Sequence, residues 1–250
     1  MCSARSGNRG FPANNEPRWD IQLRLNILCI RLAVDREDSK LNILVVGATG
    51  GTGRELLNQA LDQGHSVTAF VRNPAKIRIA HERLKVIKGD VLEYSSVDRA
   101  LQGHDAVLSA LGHKRWFIKT TILSEGTKNI ISAMERQGVK RFVCETSLGV
   151  GDSRGRLGLY YTLFVIPFIV FFYFKDKRRQ EQLIRESSLD WFIVRPGQLT
   201  NGRRRAAYRE GDKIGSYVFT VRISRADVAD FMLRQLTDNS YLRQTPGVAY

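Results

Sequence analysis

From Leu41 onward, apolar residues fall into short closed runs that alternate with helix-spaced stripes. Asn42–Val46 (NILVV) is a continuous apolar run, as expected of a strand buried on both faces. Arg54–Gln63 follows with Leu56, Leu57, Ala60 and Leu61 at helical spacing, and Gly64 stands where a helix stop belongs. His65–Val71, Leu84–Ile87 and Asp105–Ala110 predict the second, third and fourth strands. Leu123, Thr127, Ile130, Ile131 and Met134 mark one face of a helix, and Gly138 turns the chain into a fifth strand, Arg141–Glu145. Trp191–Val194 (WFIV) predicts a sixth. Strands alternating with helices imply an α/β fold with a parallel sheet covered on both sides. Near the end, Ser224-Arg225-Ala226-Asp227 has capping-box form, with Asp227 reaching back to the helix start. Val228, Phe231, Met232 and Leu236 then form the stripe of a last helix in a small C-terminal subregion.

Residues 1–40 break this regularity. Met1–Asp20 is rich in Gly, Asn, Pro and Arg, which predicts a poorly ordered extension. Ile21–Val34 is apolar but carries Arg24 and Arg31, so it is too short and too charged to span a bilayer. Asp20 before it and Asp35–Asp38 after it fit a signal peptide poorly. A dispensable extension of a cytoplasmic protein is the favoured reading; an organelle-targeting segment or basic amphipathic anchor is the alternative. The domain proper is then 41–250. With 43% hydrophobic and 26% charged residues among 250, the composition is globular. Cys2, Cys29 and Cys144 are too few and too scattered for a disulfide framework or a metal site, which suits a reducing compartment. The net charge of +14 calls for an anionic partner. Residues 41–250 keep 32 basic against 20 acidic residues, so the surplus belongs to the domain.

Gly47-Ala48-Thr49-Gly50-Gly51-Thr52-Gly53 lies between the first strand and the first helix. In this position Gly47 permits a tight turn, Gly50 lets the backbone approach a pyrophosphate, and Gly53 lets the helix pack closely. Thr49, Gly51 and Thr52 complete a candidate phosphate cradle at the helix N-terminus. No GK[ST] follows, as an ATP loop would require. Arg72 follows the second strand, nineteen positions after Gly53, with no acid at that point. An acid there would take the ribose hydroxyls, whereas Arg pairs with a 2′-phosphate. NADP is therefore expected over NAD.

The GxxGxxG spacing and the alternating strands resemble the extended and atypical short-chain dehydrogenase/reductases over Asn42–Tyr250. That resemblance implies a Rossmann-type doubly wound sheet. Phe174–Leu189 followed by Asp190–Gly197 is similar to the K-x-x-x-E … L-R-x-S-G-L-D-W … V-R-P-G stretch of the atypical group, which includes NmrA-like proteins and biliverdin reductase B/flavin reductase relatives. The resemblance implies that Asp90 and Val91 meet the adenine, that Ala110, Leu111 and Gly112 pass close to the ribose, and that Pro196 borders the cofactor. It places Ser147, with Thr146 beside it, on the substrate carbonyl. Tyr173 and Lys177 match the family's YxxxK pair, a phenol that donates a proton and a lysine that holds the ribose. Apolar packing is the competing role for Tyr173, with solvent then supplying the proton. Gln198 stands where the subgroup often carries His, a departure that weakens any specific link to biliverdin or flavin. His81, His104 and His113 read as ordinary loop or strand-edge positions. The implied function is an NADPH-dependent oxidoreductase passing hydride to an apolar or conjugated acceptor: a flavin, quinone or carbonyl. The alternative is a non-catalytic NADP-binding regulator or assembly factor that grips a protein partner.

Leu157–Phe174 (LGLYYTLFVIPFIVFFYF) is a run of eighteen uncharged residues, interrupted by Pro167. A straight helix of that length would reach about 27 Å, just short of a hydrocarbon core, and Pro167 would kink it. The run falls where the resembled family places its substrate-side lid, which implies a lid over an apolar pocket, in contact with a membrane surface or a hydrophobic protein. The basic stretch Lys175–Arg185 and Arg203-Arg204-Arg205 with Arg209 lack interleaved stacking aromatics, so nucleic acid is not the expected partner. The oligomeric state stays open.

Overall fold

The computed structural model describes residues 40–113 and 119–250. The expectations for residues 1–39, with Cys2 and Cys29, lie outside the described residues. Leu41–Tyr250 is one compact unit. Its main sheet runs in the order β3 (Leu84–Lys88), β2 (Ser66–Val71), β1 (Asn42–Val46), β4 (Ala106–Ser109), β5 (Arg141–Glu145), β6 (Asp190–Pro196), β10 (Gly247–Ala249) and β8 (Arg209–Gly211). Every neighbouring pair is parallel except β10 with β8, an antiparallel edge. β7 (Gln198–Thr200) and β9 (Arg222–Ser224) pair separately.

The apolar runs explain the two-sided cover. Successive side chains of a strand point to opposite faces. Ile43 and Val45 of β1 enter one core with Leu56, Leu57, Val228 and Phe231, which belong to α1 (Gly51–Asp62) and α5 (Arg225–Arg234). Leu44 and Val46 enter the other core with Val97, Ile130, Met134 and Ile184 of α2 (Tyr94–Leu101), α3 (Ile122–Gln137) and α4 (Phe171–Glu186). Each such fully buried aliphatic side chain contributes roughly 1.5–3 kcal/mol. The strand order reverses direction between β1 and β4, so the loops leaving these two strands diverge and open a crevice over the strand ends.

Two expectations are refined. α1 starts at Gly51 rather than Arg54, because the glycine loop itself forms the first helical turn. The Ser224 hydroxyl does accept the Asp227 N–H, at 3.0 Å, but Asp227 reaches back to that hydroxyl, not to the Ser224 N–H. The Ser224 N–H instead donates to the Tyr250 hydroxyl. Burial alone would raise the Asp227 carboxyl, but hydrogen bonds from Tyr250, the Ala206 and Arg205 amides and Ser224 hold it below the usual range.

The apolar run 157–174 is not one straight helix. Tyr161–Val165 forms a π-helical turn, Ile166–Phe168 a single α-turn, and α4 starts afresh at Phe171. Pro167 has no N–H to continue the helical ladder, and the Ile169 and Val170 amides both donate to the Val165 carbonyl. No helix among the described residues is long and apolar enough to cross a membrane.

Candidate active site

A cleft of about 1290 Å³ crosses the C-terminal ends of β1–β6. At its centre, Gly47 takes φ +81°, and a Cβ there would lie 2.3 Å from the Ala110 carbonyl oxygen. A Cβ on Gly53 would lie 2.2 Å from the Gly47 carbonyl oxygen, so Gly53 seats α1 against the loop and does not itself line the cleft. Thr49, Gly50, Gly51 and Thr52 do line it. The N-terminus of α1 has no side-chain cap and no acid in its first turn. Its partial positive charge is therefore directed into the cleft, the arrangement that suits a bound phosphate.

On one side of this loop, Arg72, Asp90 and Val91 line the cleft, with Lys76 and Arg78 beside Arg72. Asp90 Oδ1 accepts the Leu92 N–H at 3.0 Å, so this side chain also shapes its own turn. On the other side lie Ala110, Leu111, Gly112, Ser147, Tyr173, Lys177 and Pro196. Lys177 is buried; its Nζ donates to the Thr146 carbonyl at 2.9 Å and stands 5.1 Å from the Tyr173 ring centroid. The Tyr173 hydroxyl approaches Gly112, 3.6 Å from where a Cβ would be. The Ser147 hydroxyl donates to the Leu148 carbonyl at 3.0 Å. The sequence-derived residues thus meet in one cleft, apart from Gly53 at its base.

A glycine-built loop at an uncapped helix N-terminus, cations at one end and a Tyr–Lys pair at the other fit a nicotinamide dinucleotide. A family profile described as NAD(P)H-binding matches residues 47–239. The chain belongs to the NAD(P)H-binding family. It is 31% identical over 172 residues to an uncharacterized chloroplastic protein of Arabidopsis thaliana, covering 64% of this chain and 59% of that one. It is 36% identical over 107 residues to the photosystem II assembly factor Ycf39 of Synechocystis, covering 41% and 32%. It is 28% identical over 155 residues to a (4-alkanoyl-5-oxo-2,5-dihydrofuran-3-yl)methyl phosphate reductase of Streptomyces griseus, covering 62% and 46%. The aligned regions thus span between a third and three-fifths of these relatives' own lengths. Among solved structures, a putative NAD-dependent epimerase/dehydratase from Bacillus halodurans superposes with a TM-score of 0.71 at 28% identity, covering 84% of this chain and 94% of that one.

Within this NAD(P)H-binding framework the structure adds residues that sequence reasoning passed over. His113, read as an ordinary position, lines the cleft; its ring meets the Tyr173 ring edge-on at 4.9 Å, and Nε2 lies 3.0 Å from the Thr120 hydroxyl. His81 and His104 stay outside the cleft lining. Arg54 lines the cleft, and the Arg225 side chain lies so close over the loop that a Cβ on Gly51 would meet its Cδ at 2.4 Å. Strand parity places the rest. Glu145 points to the α1 face, where it accepts a 3.1 Å hydrogen bond from Thr52 Oγ1. Burial raises its pKa, against the opposing pull of Lys177, Thr52 and Arg225.

Thr146 and Arg195 turn to the α4 face. There the buried Arg195 donates to Glu181 through Nε at 3.0 Å and Nη2 at 2.6 Å, while Thr146 Oγ1 donates to Glu181 Oε1 at 2.7 Å. The K-x-x-x-E and V-R-P-G motifs are therefore two halves of one buried ion pair under Lys177. Cys144 is buried and free, with its thiol pushed up to about 12 by burial, which suits an unreactive core residue. No cluster of metal-ligating side chains occurs among the described residues.

Proposed function

We propose that this chain is an NADPH-dependent reductase acting on a flat, apolar or conjugated acceptor. The observation that carries the reading is the polarity of the long cleft over the strand ends. The phosphate-binding loop after β1 lies between the two ends, and the cations Arg72, Lys76 and Arg78 occupy one of them. Tyr173, Lys177 and Ser147 occupy the other, beneath the apolar Leu157, Tyr161 and Val165. The S. griseus relative, itself a reductase, supports this reading. Arg72 holds the 2′-phosphate that distinguishes NADPH from NADH.

A bound nicotinamide supplies the hydride. The residues of this chain do the remainder. The loop from Gly47 to Thr52 and Arg225 would hold the cofactor's pyrophosphate. Lys177, tethered to the Thr146 carbonyl, keeps its charge beside Tyr173 and the ribose. Ser147 orients the acceptor carbonyl by exchanging its internal hydrogen bond to Leu148 for one to the acceptor oxygen. Tyr173 would give that oxygen its hydroxyl proton as the carbonyl π bond breaks, and would regain one from solvent before the next turnover. The lid excludes water around the reacting atoms.

NADPH consumption with a panel of flavins, quinones and carbonyls tests the proposal. Turnover of at least one class is expected, with a Tyr173→Phe rate lower by a factor on the order of 10²–10⁴. NADPH bound tightly with no acceptor reduced would overturn it. That outcome would favour a second reading: an NADP-binding assembly factor. The exposed apolar face beside the cleft and the Ycf39 relative are the observations behind it. The chloroplastic relative likewise favours the organellar alternative over the cytoplasm.

A further inference from the structure

The lid is apolar on both of its faces. Leu157, Tyr161, Val165, Ile169 and Tyr173, spaced by four, look into the cleft. Between them, Tyr160, Leu163, Phe164, Phe168, Phe171 and Phe172 are exposed on the outside, Phe168 to 74%. A second segment extends the same surface. The Leu159 amide donates to the Val218 carbonyl at 3.3 Å, and a Cβ on Gly158 would touch the backbone of Phe219, whose own side chain is 76% exposed. Tyr217 and Val218 are exposed beside it. A helical segment apolar all round is stable only when its outer face is also covered, and a contiguous patch of this kind marks an interaction surface.

Charge identifies what covers it. Residues 153–175 and 213–222, which build the patch, carry five cations (Arg154, Arg156, Lys175, Lys213 and Arg222); of the carboxylates that flank these segments, Asp176 is buried and Asp152 pairs with Arg195 and Arg185, leaving Asp212 as the one exposed acid outside those pairs. Most of the exposed apolar side chains are Phe or Tyr, and some of them touch one another, as Tyr160 does Phe164 and Phe171 does Phe172. Protruding aromatics in a rim of cations match the boundary of an anionic bilayer, where rings enter the acyl layer and cations meet the headgroups. We propose that the face formed by Leu159–Phe172 and Tyr217–Phe219 docks on an anionic lipid bilayer and that the cleft draws its acceptor from the lipid phase. The second half rests on the reductase reading; the docking itself does not.

The full chain is mixed with vesicles of phosphatidylglycerol and phosphatidylcholine, or of phosphatidylcholine alone, and sedimented. Binding is expected to the anionic vesicles, weakened by salt. The triple variant Phe164→Ser, Phe168→Ser, Phe219→Ser should lower it by at least about tenfold. All three side chains are exposed, so NADPH binding, followed by nicotinamide fluorescence, should be unchanged and report an intact fold. Absence of vesicle binding would overturn the docking and leave the face to a protein partner. Binding undiminished in the triple variant would overturn it too, and would assign attachment to residues outside this face.

The acceptor is tested with a long-chain benzoquinone embedded in the anionic vesicles and with a short-chain, water-soluble analogue. Each quinone takes one hydride from NADPH and one proton and leaves as the quinol. The triple variant should lose at least about tenfold in rate on the embedded quinone and keep the rate on the soluble one. Equal loss on both would overturn delivery from the lipid. If neither quinone is reduced, delivery of the acceptor from the lipid is overturned, while vesicle binding still decides the docking.

Discussion

Replacing Glu181 by Gln keeps the side-chain shape and removes one charge from the buried pair beneath Lys177. Arg195 is 2% exposed and loses its hydrogen bonds to a charged partner at 3.0 and 2.6 Å. Its remaining carboxylate is Asp152, at 2.5 Å but itself 69% exposed, so that contact resembles a surface pair worth about 0–1 kcal/mol. Breaking a buried pair from one side costs about 3–5 kcal/mol. With Asp152 still in place the low end applies, about 3 kcal/mol, which for a domain of this size lowers Tm by roughly 6–12 °C. Thermal melts followed by circular dichroism, with urea titrations alongside, measure this. The double variant Glu181→Met, Arg195→Met removes both charges together and should recover most of the loss. A Glu181→Gln cost under about 1 kcal/mol, or a double variant whose loss is the sum of those of Glu181→Met and Arg195→Met made singly, would refute the reasoning.

Arg72→Ala should weaken NADPH binding by roughly 10- to 100-fold while leaving NADH unchanged, as expected for one lost charge-assisted contact; a wild-type preference near one would remove Arg72 from the account. Gly47→Ala should cost roughly 2–5 kcal/mol, combining a positive φ with the clash on Ala110. Gly103→Ala serves as its control, because Gly103 has φ +75° but open space around it, so about 1 kcal/mol is expected there. For Glu145 the folded pKa is raised, so its contribution to stability is full below the unfolded carboxyl value and fades as pH rises through the folded one. Glu145→Gln should therefore gain on the wild type in Tm as pH climbs above the ordinary carboxyl range, and a constant difference would contradict the shift.

Much of this was legible in the residues because one physical rule governed each part. Continuous apolar runs marked doubly buried strands, and the glycine spacing marked the turn that only a missing Cβ permits, as Gly47 and Gly53 show. Gly64 and Gly138, read as helix stops, take φ +90° and +76°. What stayed hidden depends on pairing across the chain. His113 gains its place only because the Tyr173 ring comes up from a segment 60 positions away. Arg225 looked like an interior residue of a capping box, and its reach to Gly51 follows from α5 packing beside α1. Arg195 and Glu181 were visible as motif letters without a reason. Counting inward along β6 from Trp191 and Ile193, both on the α4 face, puts Arg195 on that face and supplies the reason. The lid was legible as apolar and as interrupted at Pro167, but not as a π-turn, since that form depends on which carbonyls its amides reach in the folded chain.

The proposed chemistry requires a hydride to leave one face of the nicotinamide in the cleft and reach the acceptor. NADPH carrying deuterium on one or the other face of the nicotinamide C4 tests this most directly, with turnover rates compared and the oxidised nucleotide examined by mass spectrometry. Deuterium should be lost from one face only, with turnover slowed when that face is labelled, because the cleft holds the ring in one orientation. Loss from both faces alike, or NADPH that binds and is never consumed by any acceptor, would contradict it.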